Sequence, residues 1–250
     1  MILGLTNKVA MIAGASRGLG LGIARRLAAA GYSVIGVARK ENEGMVSAMV
    51  EAVRSGHGPM HFIPFDLAEI DKIPELVREL RKDFGPIYGL VNNAAMGAEG
   101  VLATMHNSTI EQLVRVNTVS PIVLTKYVVR SMMSEGGGRI VNVASIIGFT
   151  GYNGFSVYAA TKASMLGFTR SLAREVGRLG VNVNAIAPGF LDTDMTQGME
   201  SEERQKVARR SALRRLPEVD DVANAVEFLL GDGAKSITGT VITVDAGSTA

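Results

Sequence analysis

Short runs rich in Val and Ile alternate with amphipathic helical stretches along nearly the whole chain. The predicted strands are residues 8–13, 33–38, 60–65, 87–91, 139–144, 181–186 and 241–244. The predicted helices lie at residues 18–30, 44–55, 70–83, 108–133, 156–179, 200–210 and 219–230. Parallel strands need a crossover connection, usually a helix, so this alternation is typical of βαβ units. It predicts an α/β fold: a doubly wound, Rossmann-type parallel sheet of about seven strands with helices on both faces.

The composition is that of one well-packed domain. Of the 250 residues, 47% are hydrophobic, the formal net charge is +2 and there is no Cys. These values argue against disorder and give no reason to expect a nucleic acid or a membrane as partner. The three His residues show no metal-ligand spacing, so we expect no metal site. We expect one dinucleotide-binding and catalytic domain over residues 1–250, and a cytoplasmic location, with which the lack of Cys is compatible.

A glycine-rich turn follows the first predicted strand. It places Gly14, Gly18 and Gly20 in a Gly-x-x-x-Gly-x-Gly pattern directly before a predicted helix. Glycines let the backbone turn sharply and approach a pyrophosphate, and the helix N-terminus supplies free N–H groups. The pattern is weak by itself, but a strand before it and a helix after it favour a dinucleotide site.

Tyr158 and Lys162 lie four residues apart on a predicted helix and therefore share one of its faces. A free Tyr has a pKa near 10, and a nearby ammonium group favours the phenolate. The pair suits proton exchange with a carbonyl or an alcohol. Ser145 follows a predicted strand, at the carboxyl end where parallel sheets place their sites, and its hydroxyl is a candidate donor to the same oxygen.

Together these motifs resemble the short-chain dehydrogenase/reductase family, and the resemblance runs from about Lys8 to Ala246. The motifs that carry it are Gly14-x-x-x-Gly18-x-Gly20, Asn92-Asn93-Ala94, Asn117, Ser145, Tyr158-x-x-x-Lys162 and Pro188-Gly189. The resemblance implies an oxidoreductase that transfers a hydride between a nicotinamide and a carbonyl or alcohol. Two departures, Ala13 where the family often has Thr and Ala95 where it often has Gly, concern the fine geometry of the cofactor site.

The resemblance also implies a role for each of four catalytic residues. Tyr158 would give or take the proton, and Lys162 would bind the nicotinamide ribose and lower the Tyr158 pKa. Ser145 would orient the carbonyl. Asn117 would lie in a helix distortion that holds a water of a proton relay.

Further residues are implied to contact the cofactor. Asp66 would bind the adenine, Asn93 would lie along the cofactor, and Thr193 would bind the nicotinamide carboxamide. The full implied set is Gly14, Ser16, Arg17, Gly18, Leu19, Gly20, Arg39, Asp66, Leu67, Asn93, Ala94, Ala95, Tyr158, Lys162, Pro188, Gly189 and Thr193.

The end of the second strand favours NADP. Domains that prefer NAD carry an acidic residue there, to bind the ribose 2′-hydroxyl. Here Arg39 and Lys40 follow the strand, and Arg17 lies within the glycine turn. Two guanidinium groups suit a 2′-phosphate, although two solvated surface arginines, with NAD as cofactor, are the alternative.

The segment 189–215 is expected to cover the cofactor as a lid. An apolar substrate pocket would be lined by Met96, Ile147, Phe149, Tyr152, Met195 and Met199, unless these side chains only seal the edge of the core. Helix 156–179 carries no charge except Lys162 before Arg170, so it is expected to be buried on more than one side. Family members pair this helix, which implies a homotetramer.

Within the family, the stretches 171–176 and 191–196 are most similar to 3-oxoacyl-[acyl-carrier-protein] reductases. An acidic carrier protein needs a basic docking surface. At the two expected places the chain has Glu135-Gly136-Gly137-Gly138 and only Arg178. The basic run of Arg204, Lys206, Arg209, Arg210, Arg214 and Arg215 is an alternative surface, or a solvated helix face. Acyl carrier protein as a partner therefore stays open.

The sequence favours an NADP(H)-dependent carbonyl reductase or alcohol dehydrogenase. An NAD-dependent polyol or sugar dehydrogenase is the alternative enzyme, and Arg39 argues against it. A non-catalytic nucleotide-sensing scaffold is the alternative outside enzymes. Ser145, Tyr158 and Lys162 argue against that, since a sensor needs no proton donor.

Overall fold

The computed structural model describes residues 8–191 and 201–250. Seven parallel strands form one sheet in the order β3-β2-β1-β4-β5-β6-β7. The strands are β1 Val9–Ala13, β2 Ser33–Ala38, β3 Met60–Pro64, β4 Ile87–Asn92, β5 Gly138–Val143, β6 Val181–Pro188 and β7 Val241–Val244. The predicted fold class is therefore confirmed, with every strand where it was expected to within two residues.

Helices connect the strands. They are α1 Gly18–Ala29, α2 Glu43–Arg54, α3 Ile73–Phe84, α4 Asn107–Val114, α5 Ser120–Ser134, α6 Ser156–Val176, α7 Ser201–Arg210 and α8 Val219–Leu230. The helix predicted at 108–133 is interrupted: a π-helical segment, Arg115–Val119, joins α4 to α5. No helix in the described ranges is long and apolar enough to span a membrane.

Side chains alternate between the two faces of the sheet, as strand geometry requires. On β1, Ala10 and Ile12 pack into a core formed with α1, α2 and α8, while Met11 faces a core formed with α3, α5 and α6. Helices thus cover both faces. From β1 the chain order continues through β2 and β3 toward one edge of the sheet, and from β4 it continues through β5, β6 and β7 toward the other. The strand order therefore reverses between β1 and β4, and doubly wound folds bind ligands at such a reversal.

Candidate active site

The glycine turn lies at the carboxyl end of β1, against the loop after β4. Gly14 has a φ of +78°, and a Cβ there would lie 2.7 Å from the Ala94 Cα. A Cβ on Gly20 would collide with the Gly14 carbonyl oxygen. Helix α1 starts at Gly18, and no side chain caps it. Its first N–H groups therefore face the turn, which fits a pyrophosphate.

Asn93 holds this turn in place. Its Nδ2 atom donates to the carbonyl oxygens of Ala13 at 3.2 Å and Gly14 at 2.9 Å. The sequence placed Asn93 along the cofactor, and the structure adds a direct bond between the ends of β4 and β1.

The other predicted cofactor residues that the structure describes lie at the same edge of the sheet. Arg39 is exposed directly after β2, and Arg17 is exposed in the turn. After β3, the Asp66 Oδ1 accepts from Ala68 N at 2.9 Å beside the buried Leu67. Ser16, Leu19 and Ala95 are half-buried, and Gly189 N donates to Val244 O at 2.9 Å just after Pro188. Thr193 lies outside the described residues.

Ser145 and the Lys162 Nζ both lie near the carboxyl end of β5. The buried Lys162 Nζ donates to the carbonyl oxygen of Val143, the last residue of β5, at 2.9 Å. Ser145 lies two residues further, and its Oγ accepts from Ile147 N at 3.3 Å. The 3-10 turn Ile146–Gly148 packs against α6, the helix that carries Tyr158 and Lys162. The fold thus brings the predicted catalytic residues into one region.

Burial acts on the pKa values of both residues of the pair. It raises the pKa of Tyr158 to about 12 and lowers the pKa of Lys162 to about 8, because the charged form of each group loses hydration. The expectation that Lys162 lowers the Tyr158 pKa stays a prediction, because desolvation alone sets the direction of the Tyr158 shift. The Lys162 Nζ bonds to Val143 O and lies 5.7 Å from the Tyr158 ring centroid.

Asn117 lies in the π-helical segment, which confirms the expected helix distortion. Its Oδ1 accepts from Met96 N at 2.8 Å, and its Nδ2 donates to Met96 O at 2.8 Å and to Thr161 Oγ1 at 3.2 Å. The Thr161 hydroxyl in turn donates to the Tyr158 carbonyl at 2.7 Å. The Asn117 side chain therefore connects the loop after β4 to the first turns of α6.

The predicted substrate residues do not share one wall. A cleft of about 270 Å³ lies beside the Ser145 loop and is lined by Ile146, Thr150, Tyr152, Val207, Arg210, Ser248 and Thr249. Of the predicted residues that the structure describes, only Tyr152 lines it. Ile147 is buried and Phe149 is exposed. Met96 is half-buried, and Met195 and Met199 lie outside the described residues.

Sequence reasoning missed Thr161 and the C-terminal turn. A signal for Thr161 exists, because it lies three residues after Tyr158 and therefore on the same helix face. Ser248 and Thr249 offer no comparable signal, since their place depends on how distant segments pack. Over the described part of the chain, no group of three His, Cys, Asp or Glu is placed to hold a metal.

Known proteins match this sequence over nearly its whole length. A family described as Enoyl-(Acyl carrier protein) reductase matches residues 14–249. The chain is 38% identical over 242 residues to a 3-oxoacyl-[acyl-carrier-protein] reductase of Escherichia coli, covering 96% of this chain and 97% of that protein. It is 36% identical over 243 residues to the protein of that name from Haemophilus influenzae, covering 97% and 98%.

Solved structures agree on the fold. A gluconate 5-dehydrogenase from Burkholderia cenocepacia, in complex with NADP and tartrate, superposes with a TM-score of 0.92 at 28% identity, covering 98% of this chain and 96% of that one. A short-chain dehydrogenase/reductase from Mycobacterium ulcerans gives 0.92 at 29% identity, covering 98% and 91%. With nearly full-length matches of sequence and fold, the chain belongs to the short-chain dehydrogenase/reductase family of nicotinamide-dependent oxidoreductases.

Proposed function

We propose that this oxidoreductase reduces a carbonyl group with NADPH and that Ser145, Tyr158 and Lys162 are its catalytic residues. One observation carries the proposal: the bond from Lys162 Nζ to Val143 O, at 2.9 Å, connects the helix bearing Tyr158 to the end of β5, two residues before Ser145. A hydroxyl donor from each element is therefore available to one substrate oxygen at the sheet edge.

The chemistry of each side chain fits reduction. When bound, the reduced nicotinamide supplies a hydride to the carbonyl carbon. Tyr158, with a pKa of about 12, carries its proton at neutral pH and gives it to the carbonyl oxygen as negative charge develops there. Lys162, with a pKa of about 8, is still an ammonium at pH 7 and stabilises the phenolate that Tyr158 leaves. Ser145 donates to the same oxygen.

NADP is our proposal for the cofactor. Arg17 lies in the turn between β1 and α1 and Arg39 directly follows β2, the neighbour of β1 in the sheet; both residues are exposed. Guanidinium groups bind phosphate oxygens through paired, charge-assisted bonds. The NADP named with the Burkholderia cenocepacia structure supports this assignment. Asp66, Asn93 and the glycine turn would hold the rest of the dinucleotide.

A 3-oxoacyl thioester is the first substrate class to test, because curated relatives carry that activity in their names. Acyl carrier protein as the natural thioester carrier belongs to the same proposal. The description of the matching family points instead to an enoyl thioester, and the Burkholderia cenocepacia relative to a sugar acid. These two classes are the alternatives that an assay must separate.

The test is consumption of NADPH and of NADH with a panel of substrates. The panel contains a 3-oxoacyl thioester, a trans-2-enoyl thioester, a simple ketone, a quinone and a keto-sugar. We expect carbonyl reduction with NADPH as the better cofactor. No turnover of any carbonyl, or turnover of the enoyl thioester only, would overturn the proposal.

We also propose that residues 1–250 form a single catalytic domain in the cytoplasm. The segment 189–215 would serve as a lid, of which residues 192–200 lie outside the described ranges. Helix α7 and the cleft beside it support this part of the proposal, because the cleft separates α7 from the Ser145 loop.

A homotetramer is proposed from the outer surface of two helices. Ala160, Ala163 and Gly167 of α6 are exposed, and so are Ile122 and Met133 of α5. Exposed apolar surface of this kind marks interaction sites. A Cβ on Gly167 would have no atom within 4 Å, so Gly167→Arg should leave the protomer intact. We expect light scattering to show a tetramer for the wild type and smaller species for the variant; unchanged mass would contradict this interface.

A further inference from the structure

The cleft beside the Ser145 loop combines an apolar floor with polar walls. Ile146, the neighbour of Ser145, is buried, and Tyr152 stands against Phe190 with ring centroids 5.3 Å apart. Arg210 of α7 and Ser248 of the C-terminal turn also line the cleft. The cleft therefore lies between the loop that directly follows Ser145 and the end of α7 that carries Arg210.

Two backbone hydrogen bonds hold the polar wall together. Ala212 N donates to Gly247 O at 3.2 Å, and Leu213 N donates to Ala246 O at 3.0 Å. They join the segment after α7 to the C-terminal turn across 35 residues of sequence, 212 to 247. These bonds fix the backbone near Arg210 relative to the backbone near Ser248. A site whose backbone is already ordered loses less conformational entropy when a ligand binds.

The carboxylate of the C-terminal turn already has hydrogen-bond partners. The buried Asp245 accepts from Gly247 N at 2.9 Å, from Thr249 N at 2.9 Å and from Thr249 Oγ1 at 2.8 Å. Three donors occupy its oxygens. Across residues 8–191 and 201–250, Arg210 forms no hydrogen bond or ion pair, whereas its neighbour Arg209 bonds to Gln205 and Arg215 to Asp221.

We propose that Arg210 binds an anionic oxygen group, a carboxylate or a phosphate, on the part of the substrate distal to the reacting carbonyl. The proposal rests on the proposed function, because the cleft counts as a substrate site only if Ser145 marks the reacting end. The planar guanidinium group offers a fork of donors that matches two oxygens, and Ser248 supplies a further hydroxyl donor. An uncharged substrate would leave these donors unmatched.

Two substrate sources share this chemistry. In an oxo acid the anion is a carboxylate, and in a thioester of 4′-phosphopantetheine it is the phosphate. Kinetics with matched pairs separate them: a medium-chain oxo acid against its methyl ester, and a 3-oxoacyl phosphopantetheine thioester against the pantetheine thioester that lacks phosphate. For whichever pair carries the anionic group of the natural substrate, carboxylate or phosphate, we expect Arg210→Gln to lower kcat/KM for the anionic member by about tenfold or more. The neutral member should change by less than about twofold.

Arg209→Gln is the matched control. It removes the same charge one residue away, outside the residues that line the cleft. If Arg209→Gln lowers kcat/KM for the anionic member as much as Arg210→Gln does, the loss comes from the reduced positive charge of this surface and not from a contact with Arg210, and the proposal fails. Equal losses for the charged and neutral members would also overturn it, since they indicate a damaged fold.

Binding experiments separate this proposal from the proposed function. Malonate and inorganic phosphate are titrated calorimetrically into wild type and Arg210→Gln, each saturated with NADP⁺. Subtracting the heat measured with the variant removes the contribution of anions that bind elsewhere on the protein. We expect at least one of the two probes to bind the wild type about tenfold more tightly. Equal affinity for both probes would overturn the Arg210 assignment even if a carbonyl is reduced, and a difference would support it even if the turnover panel fails.

Discussion

Lys162 Nζ donates to the Val143 carbonyl oxygen at 2.9 Å, within a region where the lysine is 4% exposed. The bond joins the middle of a helix to the end of the strand that precedes Ser145. A charged group so deeply buried lowers stability unless it is paired, and here its described partner is a neutral carbonyl. Burying Lys162 therefore lowers the stability of the folded protein, and an apolar side chain at this position would not.

The buried lysine predicts how stability changes with pH. The folded-state pKa of Lys162, about 8, lies below the value of 10.5 for an exposed lysine. Between these values the unfolded chain binds more protons, so stability rises with pH across this window. The unfolding free energy of wild type minus that of Lys162→Met should increase by on the order of 3 kcal/mol from pH 8 to pH 10.5.

Denaturant unfolding of both proteins at several pH values measures this difference. The exposed Lys40→Met serves as the control, and its difference from wild type should stay flat. A flat difference for Lys162→Met as well would mean that Lys162 remains solvated in the folded protein.

Replacing Tyr158 by Phe should remove the proton donor and keep the ring. General acid catalysis typically contributes about 10²–10⁴-fold, so we expect kcat to fall by at least about 100-fold. Cofactor affinity, measured by fluorescence titration, should change little. Tyr127→Phe on α5 is a matched change away from the site and should retain full turnover. A Tyr158→Phe variant with more than about a tenth of wild-type turnover would contradict the assignment.

Arg39→Asp should reverse the choice between NADPH and NADH. Charge-assisted hydrogen bonds contribute roughly 1.5–3 kcal/mol each, less at exposed positions, so wild type should favour NADPH by about 10- to 100-fold in kcat/KM. The preference should shrink at higher salt because screening weakens exposed charge pairs. An aspartate would repel the 2′-phosphate and accept from a free 2′-hydroxyl.

Lys40→Asp replaces a positive by a negative charge at the next residue, as Arg39→Asp does, and therefore controls for the change in net charge. It should reduce the preference without reversing it. If both variants behave alike, or if the wild type prefers NADH, then Arg39 is only a surface residue.

Asn117→Leu keeps the approximate side-chain size and removes three hydrogen bonds. Met96 would lose partners for both its N–H and its carbonyl, and a buried group left unpaired costs about 1–3 kcal/mol. We expect a loss of about 2–4 kcal/mol in unfolding free energy, together with lower turnover. Thr161→Val should cost less, because Asn117 then keeps both bonds to Met96. Equal stability of Asn117→Leu and wild type would show that the loop after β4 does not depend on Asn117.

Much of the fold and part of the site were predictable from sequence because they depend on local patterns. The period of the apolar residues distinguishes strands from helices, and βαβ units leave few possible topologies. Strand ends in a parallel sheet share one edge, so the positions of Gly14, Asn93 and Ser145 in sequence already placed them near one another. The four-residue spacing of Tyr158 and Lys162 likewise depends only on helix geometry.

The tertiary structure decided what depends on contacts between distant segments. Burial sets the direction of the Tyr158 pKa shift, whereas the sequence argument considered only the nearby ammonium group. The bond between Lys162 and Val143 and the three bonds of Asn117 arise only when helices pack on strand ends. In the sequence Arg210 is one of six basic residues in a run, and only the fold brings it to the cleft that Ile146 and the C-terminal turn also line. Desolvation and hydrogen-bond partners belong to the packed structure, because each is set by atoms that are remote in sequence.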